Sequence, residues 1–227
     1  RSMTAPAEAL ILDFGGVISR TMFETHAATE KALGLAAGTL TWQGPFAPEA
    51  DPLWLSMQAD KITEREYWQT RTAEVGKLVG KDWPDMSDLV IAARGNAPRE
   101  IIRPEALTAI QTAKQAGKKL AILSNELDLF YGKSFKTKLP FMSDFDVIVD
   151  ATYTGVLKPL PEAYLDCLQQ LELAPEQCVF VDDQLRNITG AKSVGLQTVH
   201  FDVKNPDHSY TEALDLMGLS NQETSHA

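Results

Sequence analysis

Five short apolar runs constrain what this chain can fold into more than any other feature. They lie at 9–12 (Ala-Leu-Ile-Leu), 119–123 (Lys-Leu-Ala-Ile-Leu), 146–149 (Asp-Val-Ile-Val), 178–181 (Cys-Val-Phe-Val) and 198–201 (Thr-Val-His-Phe). Each is four or five residues long, continuous and mostly rich in β-branched side chains. A strand covered on both faces reads that way, because neither set of alternating side chains meets water, and both faces are covered in a parallel sheet. Helices fit between the runs. Pro104 stands where a first helical residue would and Gly117 where a helix stops, with Leu107, Ile110 and Ala113 at helical spacing between them. Pro161 opens another helix, with Tyr164, Leu165, Leu168 and Leu171 on one side, and a third at 185–194 ends at Gly195. Strand, helix, strand with this punctuation predicts an α/β fold, a doubly wound parallel sheet of Rossmann-like form.

One stretch breaks the alternation. Between 20 and 96 no run reads as a buried strand, and helical patterns appear at 22–33, 52–59, 64–78 and 85–93. All four tryptophans, Trp42, Trp54, Trp68 and Trp83, fall here. Aromatics at such spacing more often form a subdomain's own core than a ligand box. The expected organisation is an α/β core of 1–19 and 97–227 with a helical insert at 20–96. Arg1 and Ser2 before Met3 read as a cloning remnant, and 220–227 as a frayed tail.

The formal net charge of −10 argues against nucleic acid or an anionic membrane as partner, since both need clustered Lys and Arg. No segment approaches the ~20 apolar residues of a membrane span, and no apolar signal core opens the chain, so the expected location is cytoplasmic. Cys167 and Cys178 are too few for a disulfide framework or a zinc site and read as reduced thiols.

Four polar sites follow four of the predicted strands or sit in the turns beside them, and ligands of open α/β sheets bind at the carboxyl ends of the strands. Asp13 follows the first run, and Gly15 and Gly16 after it permit a sharp turn and close approach of backbone to a ligand. Ser124 and Asn125 end the second run, where a hydroxyl and exposed N–H groups suit a phosphoryl oxygen. Lys158, braced by Pro159, could neutralise both a carboxylate and a phosphate. Asp182 and Asp183 follow the fourth run, and adjacent acids repel unless a cation lies near. Magnesium is satisfied by one or two carboxylates plus water. Each site also has an ordinary explanation: a loop or helix cap for Asp13, Ser124 and the acidic pair, a solvated surface cation for Lys158.

Order and placement together are more specific than any single site. Over about 10–201 the chain resembles the haloacid dehalogenase-like (HAD) superfamily. Asp13 matches its nucleophile motif, Ser124 its Ser/Thr motif, Lys158 its lysine motif and Asp182–Asp183 its acidic metal motif, with Asn187-Ile188-Thr189-Gly190-Ala191 and Gly195 as the usual tail. The insert matches the family's α-helical cap between the first two motifs. The resemblance implies a phosphatase acting on a small phosphorylated metabolite, with Asp13 as nucleophile and Mg²⁺ held by Asp13, the Gly15 carbonyl, Asp182 and Asp183. Ser124, Asn125, Lys158 and Gly16 would hold the phosphoryl group. It also implies a cap that closes over substrate and selects the leaving group.

Gly15 departs from the family pattern, since phosphatases of this kind usually carry a second Asp there as general acid–base. Arg20 and His26, just after the loop, are candidates to replace it. Alternatives are a haloacid dehalogenase, against which Gly15 and the acidic pair argue, and a phosphonoacetaldehyde-type hydrolase using Lys31 or Lys61 as a Schiff base. A third is a binding protein that kept the fold and lost catalysis. Nothing in the pattern fixes the substrate or an oligomeric state.

Overall fold

The computed structural model describes residues 5–219, so the readings of Arg1, Ser2 and 220–227 lie outside the described residues. The five apolar runs form β1 (Ala9–Leu12), β2 (Lys119–Ser124), β3 (Val147–Asp150), β4 (Cys178–Asp182) and β5 (Gln197–His200). All pair in parallel in the order β3-β2-β1-β4-β5. The strands differ from the sequence reading by one residue at some ends.

The helices are α1 (His26–Leu33), α2 (Pro52–Gln58), α3 (Glu64–Leu78), α4 (Ser87–Arg94), α5 (Pro104–Gln115), α6 (Leu127–Tyr131), α7 (Ala151–Thr154), α8 (Pro161–Leu171), α9 (Leu185–Val194) and α10 (Pro206–Leu216). Proline at the first turn opens α2, α5, α8 and α10, where a missing N–H is no loss. None of the described helices is long and apolar enough to cross a membrane.

Two compact units result: residues 5–19, Ile102–Leu127 and 140–219 around the sheet, and Arg20–Ile101 with Asp128–Leu139, which is helical. The sequence reading ends the helical insert at 96 and assigns 128–139 to the sheet unit. In the structure that segment groups with the helices, where Phe130 packs edge-on to Trp68 at 5.2 Å.

In the sheet unit, Ile11, Leu123, Phe180, Tyr164, Cys167 and Ile188 share one core between the strands and α8 and α9. By the strand's period of two, Leu10, Leu12, Ile122 and Val181 face the other way, and α5 and α10 pack on the sheet as well. This double cover is why β1, β2 and β4 in the middle of the sheet have continuous apolar runs, whereas edge strand β5 carries Gln197, Thr198 and His200 with only Val199 buried. Cys167 and Cys178 are free and buried, and burial pushes each thiol up to about 12.

In the helical unit α3 begins with a reciprocal capping box between Thr63 and Glu66. Helix α1 starts at His26 rather than at 22, and Glu24 and Thr21 bond reciprocally across the turn that precedes it. Phe23, Trp42, Trp54, Tyr67 and Trp68 pack edge-on or tilted at centroid distances of 5.1–6.0 Å. Below them Asp51, 0% exposed, accepts from the Gly44 and Trp54 N–H groups, the Tyr67 hydroxyl and Arg71. Burial would raise its pKa, but these donors outweigh that and hold it below the usual carboxylate range.

Asp51→Ala should therefore cost about 3–5 kcal/mol, the usual result of removing one partner of a buried pair. Because all four tryptophans lie in this unit, urea denaturation followed by Trp fluorescence would measure the loss. A depressed folded pKa means that the Asp51 contribution is present above the unfolded value and lost as pH falls through the folded one. The difference between wild type and variant should thus shrink in strong acid. An unchanged urea midpoint at neutral pH would show that the cluster carries no stability.

Candidate active site

Strand register alone brings the first groups together. Leu12 is level with Val181 on one side and Ile122 on the other. One residue further along, Asp13 and Asp182 are neighbours, with Leu123 opposite. The chain runs outward from β1 to β2 and β3 on one side and to β4 and β5 on the other, so Asp13 and Asp182 flank the point where strand order reverses. The Asp13 N–H donates to the Val181 carbonyl at 3.0 Å, continuing the ladder one step beyond the strand.

Lys158 joins these groups. Its Nζ donates to Asp13 Oδ1 at 3.1 Å, Asp182 Oδ2 at 2.8 Å and the Leu123 carbonyl at 2.7 Å. The three donors of the ammonium are matched by three oxygens, and its side chain is 1% exposed. Burial alone would push its pKa down, but Asp13 and Asp182 reverse that and hold it above the ordinary lysine range. Lys158 is thus a fixed cation and no surface lysine. Beside the Pro159 brace expected from the sequence, a second residue aims it. Asn125 accepts from the Lys158 N–H at 2.8 Å through Oδ1 and donates to the Lys158 carbonyl at 3.1 Å through Nδ2.

Two of the expected phosphate-binding residues have contacts within the chain. The Asn125 side-chain amide grips the Lys158 main chain with both ends and so holds the lysine in place. Gly16 is buried. Its carbonyl accepts twice from Arg103, and its N–H has a long 3.4 Å contact with Ser19 Oγ. Ser124 is 5% exposed at the end of β2, its Oγ accepting a long 3.4 Å contact from the Glu126 N–H. Gly15 is exposed.

Carboxylate oxygens of Asp13, Asp182 and Asp183 all lie within 4.8 Å of one another. Three carboxylates against one ammonium leave two negative charges, the complement of a divalent cation. Hard oxygen donors suit magnesium. Asn187 adds a further sign of fit. Its Nδ2 donates to Asp182 Oδ2 at 3.1 Å, while its buried Oδ1 has no partner among the described residues. An acceptor so placed would be satisfied by the hydration shell of a magnesium ion. The main-chain N–H of Gln184 holds the other Asp182 oxygen at 2.8 Å. Asn187 stands in the motif tail, five residues after Asp182, but its contact with the carboxylate needed the turn into α9 to become visible.

The candidates for a replacement acid belong to the helical unit. His26 is 8% exposed there, edge-on to Trp42 at 4.4 Å, with Nε2 2.5 Å from the Trp42 carbonyl. Burial pushes its pKa below the ordinary imidazole value, so it is a core residue of that unit. Arg20 donates to the Glu100 carbonyl at 2.9 Å. Lys31 and Lys61 are exposed, unlike the desolvated lysines that form Schiff bases.

Residues 7–195 match the family described as haloacid dehalogenase-like hydrolase. The chain is 26% identical over 212 residues to mouse acyl-CoA dehydrogenase family member 10, covering 93% of this chain and 19% of that protein. It therefore spans about a fifth of that relative's length. It is 24% identical to the putative phosphatase YhcW of Bacillus subtilis, covering 85% of this chain and 82% of that one. Among solved structures, L-2-haloacid dehalogenase from Xanthobacter autotrophicus aligns with a TM-score of 0.55 at 21% identity, covering 86% and 77% of the two chains, and supports the fold.

Proposed function

Because the chain belongs to the haloacid dehalogenase-like hydrolases, we propose that it is a magnesium-dependent phosphatase of a small phosphorylated metabolite, of sugar-phosphate type. The observation that carries this reading is the buried Lys158 ammonium between Asp13 and Asp182, with Asp183 in the same carboxylate cluster. A dehalogenase needs a nucleophile but no set of carboxylates for a cation. The phosphatase name printed for the Bacillus subtilis relative points the same way.

In this mechanism a carboxylate oxygen of Asp13 attacks phosphorus, the bond from phosphorus to the leaving oxygen breaks, and an aspartyl phosphate forms. Water then attacks phosphorus, the Asp13–phosphorus bond breaks, and phosphate departs with Asp13 restored. Asp13, Asp182, Asp183 and the Gly15 carbonyl would hold magnesium. When bound, it neutralises charge between nucleophile and phosphoryl group. Lys158 stays protonated through both steps and, with Ser124, stabilises charge gathering on the phosphoryl oxygens.

Gly15 places no carboxylic acid two residues after the nucleophile. General acid–base help is worth about 10²–10⁴-fold, so a poor leaving group should feel its loss most. A screen of aryl, alkyl and sugar phosphates with Mg²⁺ and with EDTA tests the reading. Expected are hydrolysis only with Mg²⁺, p-nitrophenyl phosphate well ahead of alkyl phosphates, and a burst of alcohol before steady turnover. Undiminished hydrolysis in EDTA would remove the metal from the proposal. Equal rates on aryl and alkyl esters without a burst would mean that another group supplies the proton.

A further inference from the structure

Three consecutive carbonyls in the loop after Asp13 are tied down from distant parts of the sheet unit. The Gly16 carbonyl accepts from Arg103 Nε and Nη2, both at 3.1 Å. The Val17 carbonyl accepts from the Tyr210 hydroxyl at 2.7 Å, and the Ile18 carbonyl from the Arg103 N–H at 2.9 Å. Arg103 and Tyr210 are each 2% exposed. Phe201 joins them, with the guanidinium 5.6 Å from its ring centroid and Tyr210 edge-on at 5.2 Å. Burying a guanidinium in this way is costly, and here two of its N–H groups converge on a single backbone oxygen.

Peptide geometry shows what that oxygen controls. The Gly16 carbonyl and the Val17 N–H belong to one planar peptide. Arg103 holds its oxygen, and the Phe14 carbonyl accepts its N–H at 3.2 Å, so the plane is fixed at both edges. Gly16 has φ +85°, open to glycine at little cost, so without the brace this joint could turn. The preceding peptide joins the Gly15 carbonyl to the Gly16 N–H, which faces Ser19 Oγ. In a trans peptide the carbonyl points opposite to the N–H, so the Gly15 oxygen is aimed away from the loop interior. Two adjacent glycines give this loop freedom, and Arg103 fixes the peptide that follows Gly16, one joint from the Gly15 carbonyl.

We propose that Arg103 is a positioning residue that aims the Gly15 carbonyl at the cation, an assignment that rests on the magnesium reading above. Arg103 is also the second residue after the chain re-enters the sheet unit at Ile102, where Ser19 and Ile102 form an antiparallel bridge. The brace therefore sits where the excursion into the helical unit closes. Tyr210 supports it from α10.

Arg103→Lys keeps the charge and most of the stem but cannot place two N–H groups in one plane over Phe201. Mg²⁺ binding to the full chain, followed by calorimetry, should weaken about 10–100-fold, as when outer partners of a metal ligand are removed. Tyr210→Phe, which deletes one hydroxyl and unties Val17 alone, should weaken binding less and serves if Arg103→Lys does not fold. A merely structural role would lower the melting temperature and leave the Mg²⁺ dissociation constant of the folded protein where it was. Wild-type Mg²⁺ affinity in the folded variants overturns the positioning role while leaving the metal site intact. Failure of the wild-type protein to bind Mg²⁺ overturns both.

Discussion

Asp13→Asn is expected to lower phosphatase turnover by on the order of 10⁴-fold or more, the scale seen when a nucleophile is removed from a site whose other groups remain. The substitution keeps the shape of the side chain, so the N–H bond from residue 13 to Val181 should persist. What changes is nucleophilicity and charge. In the metal-free wild type, three carboxylates crowd within 4.8 Å with one ammonium to balance them. The variant has two carboxylates, and the uncompensated charge falls from two to one. Lys158 loses one ion-pair partner but keeps Asp182 and the Leu123 carbonyl. We therefore expect the metal-free variant to melt no lower than wild type, a case in which the functional arrangement opposes stability. Steady-state kinetics with saturating Mg²⁺ and a thermal melt in EDTA check the two halves. Turnover near the wild-type rate would remove Asp13 as nucleophile.

The parts of this site that were legible in the sequence are those fixed by strand ends. Asp13 and Asp182 each follow an apolar run, and parallel pairing in register makes such ends neighbours, so position along the chain becomes position in space. Strand and helix type were legible for the same reason: double burial leaves continuous apolar strands, and proline and glycine mark helix ends. What was illegible is what holds the site from outside these ends. Asn125 was read only for its place beside exposed N–H groups at a strand end, and only the fold brings the Lys158 main chain to its side-chain amide. Arg103, Asn187 and Tyr210 carried no motif signal of their own role, since each acts through a backbone carbonyl or another side chain. Tyr210 also lies on α10, whose small and polar residues give no strong helical stripe in the sequence. The grouping of Asp128–Leu139 with the helical unit was hidden because no break in the pattern sets it apart from 97–227, and only its ring contacts, such as Phe130 against Trp68, reveal it.

Lys158→Met should have the second largest effect, a fall in turnover of about 10²–10³-fold, comparable to the loss of one strong oxyanion donor. The stem is nearly retained and the ammonium is lost, so packing in a site where the side chain is 1% exposed changes little. The electrostatic result is larger. Asp182 is 0% exposed, and although Gln184 and Asn187 still donate to it, its charge would face Asp13 and Asp183 with no cation among them. Removing one partner of a buried pair costs about 3–5 kcal/mol; the surviving donors place this case toward the lower end, and Mg²⁺ should restore part of the loss. The pH dependence separates this from a packing defect. In wild type the Lys158 pKa is raised, so its stabilisation is fully present below the ordinary lysine value of 10.5 and fades only as pH rises through the higher folded value. No limb from Lys158 should therefore appear near neutrality. In the variant no ammonium balances the carboxylates of Asp13, Asp182 and Asp183, which lie within 4.8 Å of one another and repel. The stability deficit of the variant should therefore be largest near neutral pH without metal, and should shrink in strong acid, where carboxylates are neutral. Near wild-type turnover would mean that Lys158 holds Asp13 and Asp182 together but carries no part of the chemistry.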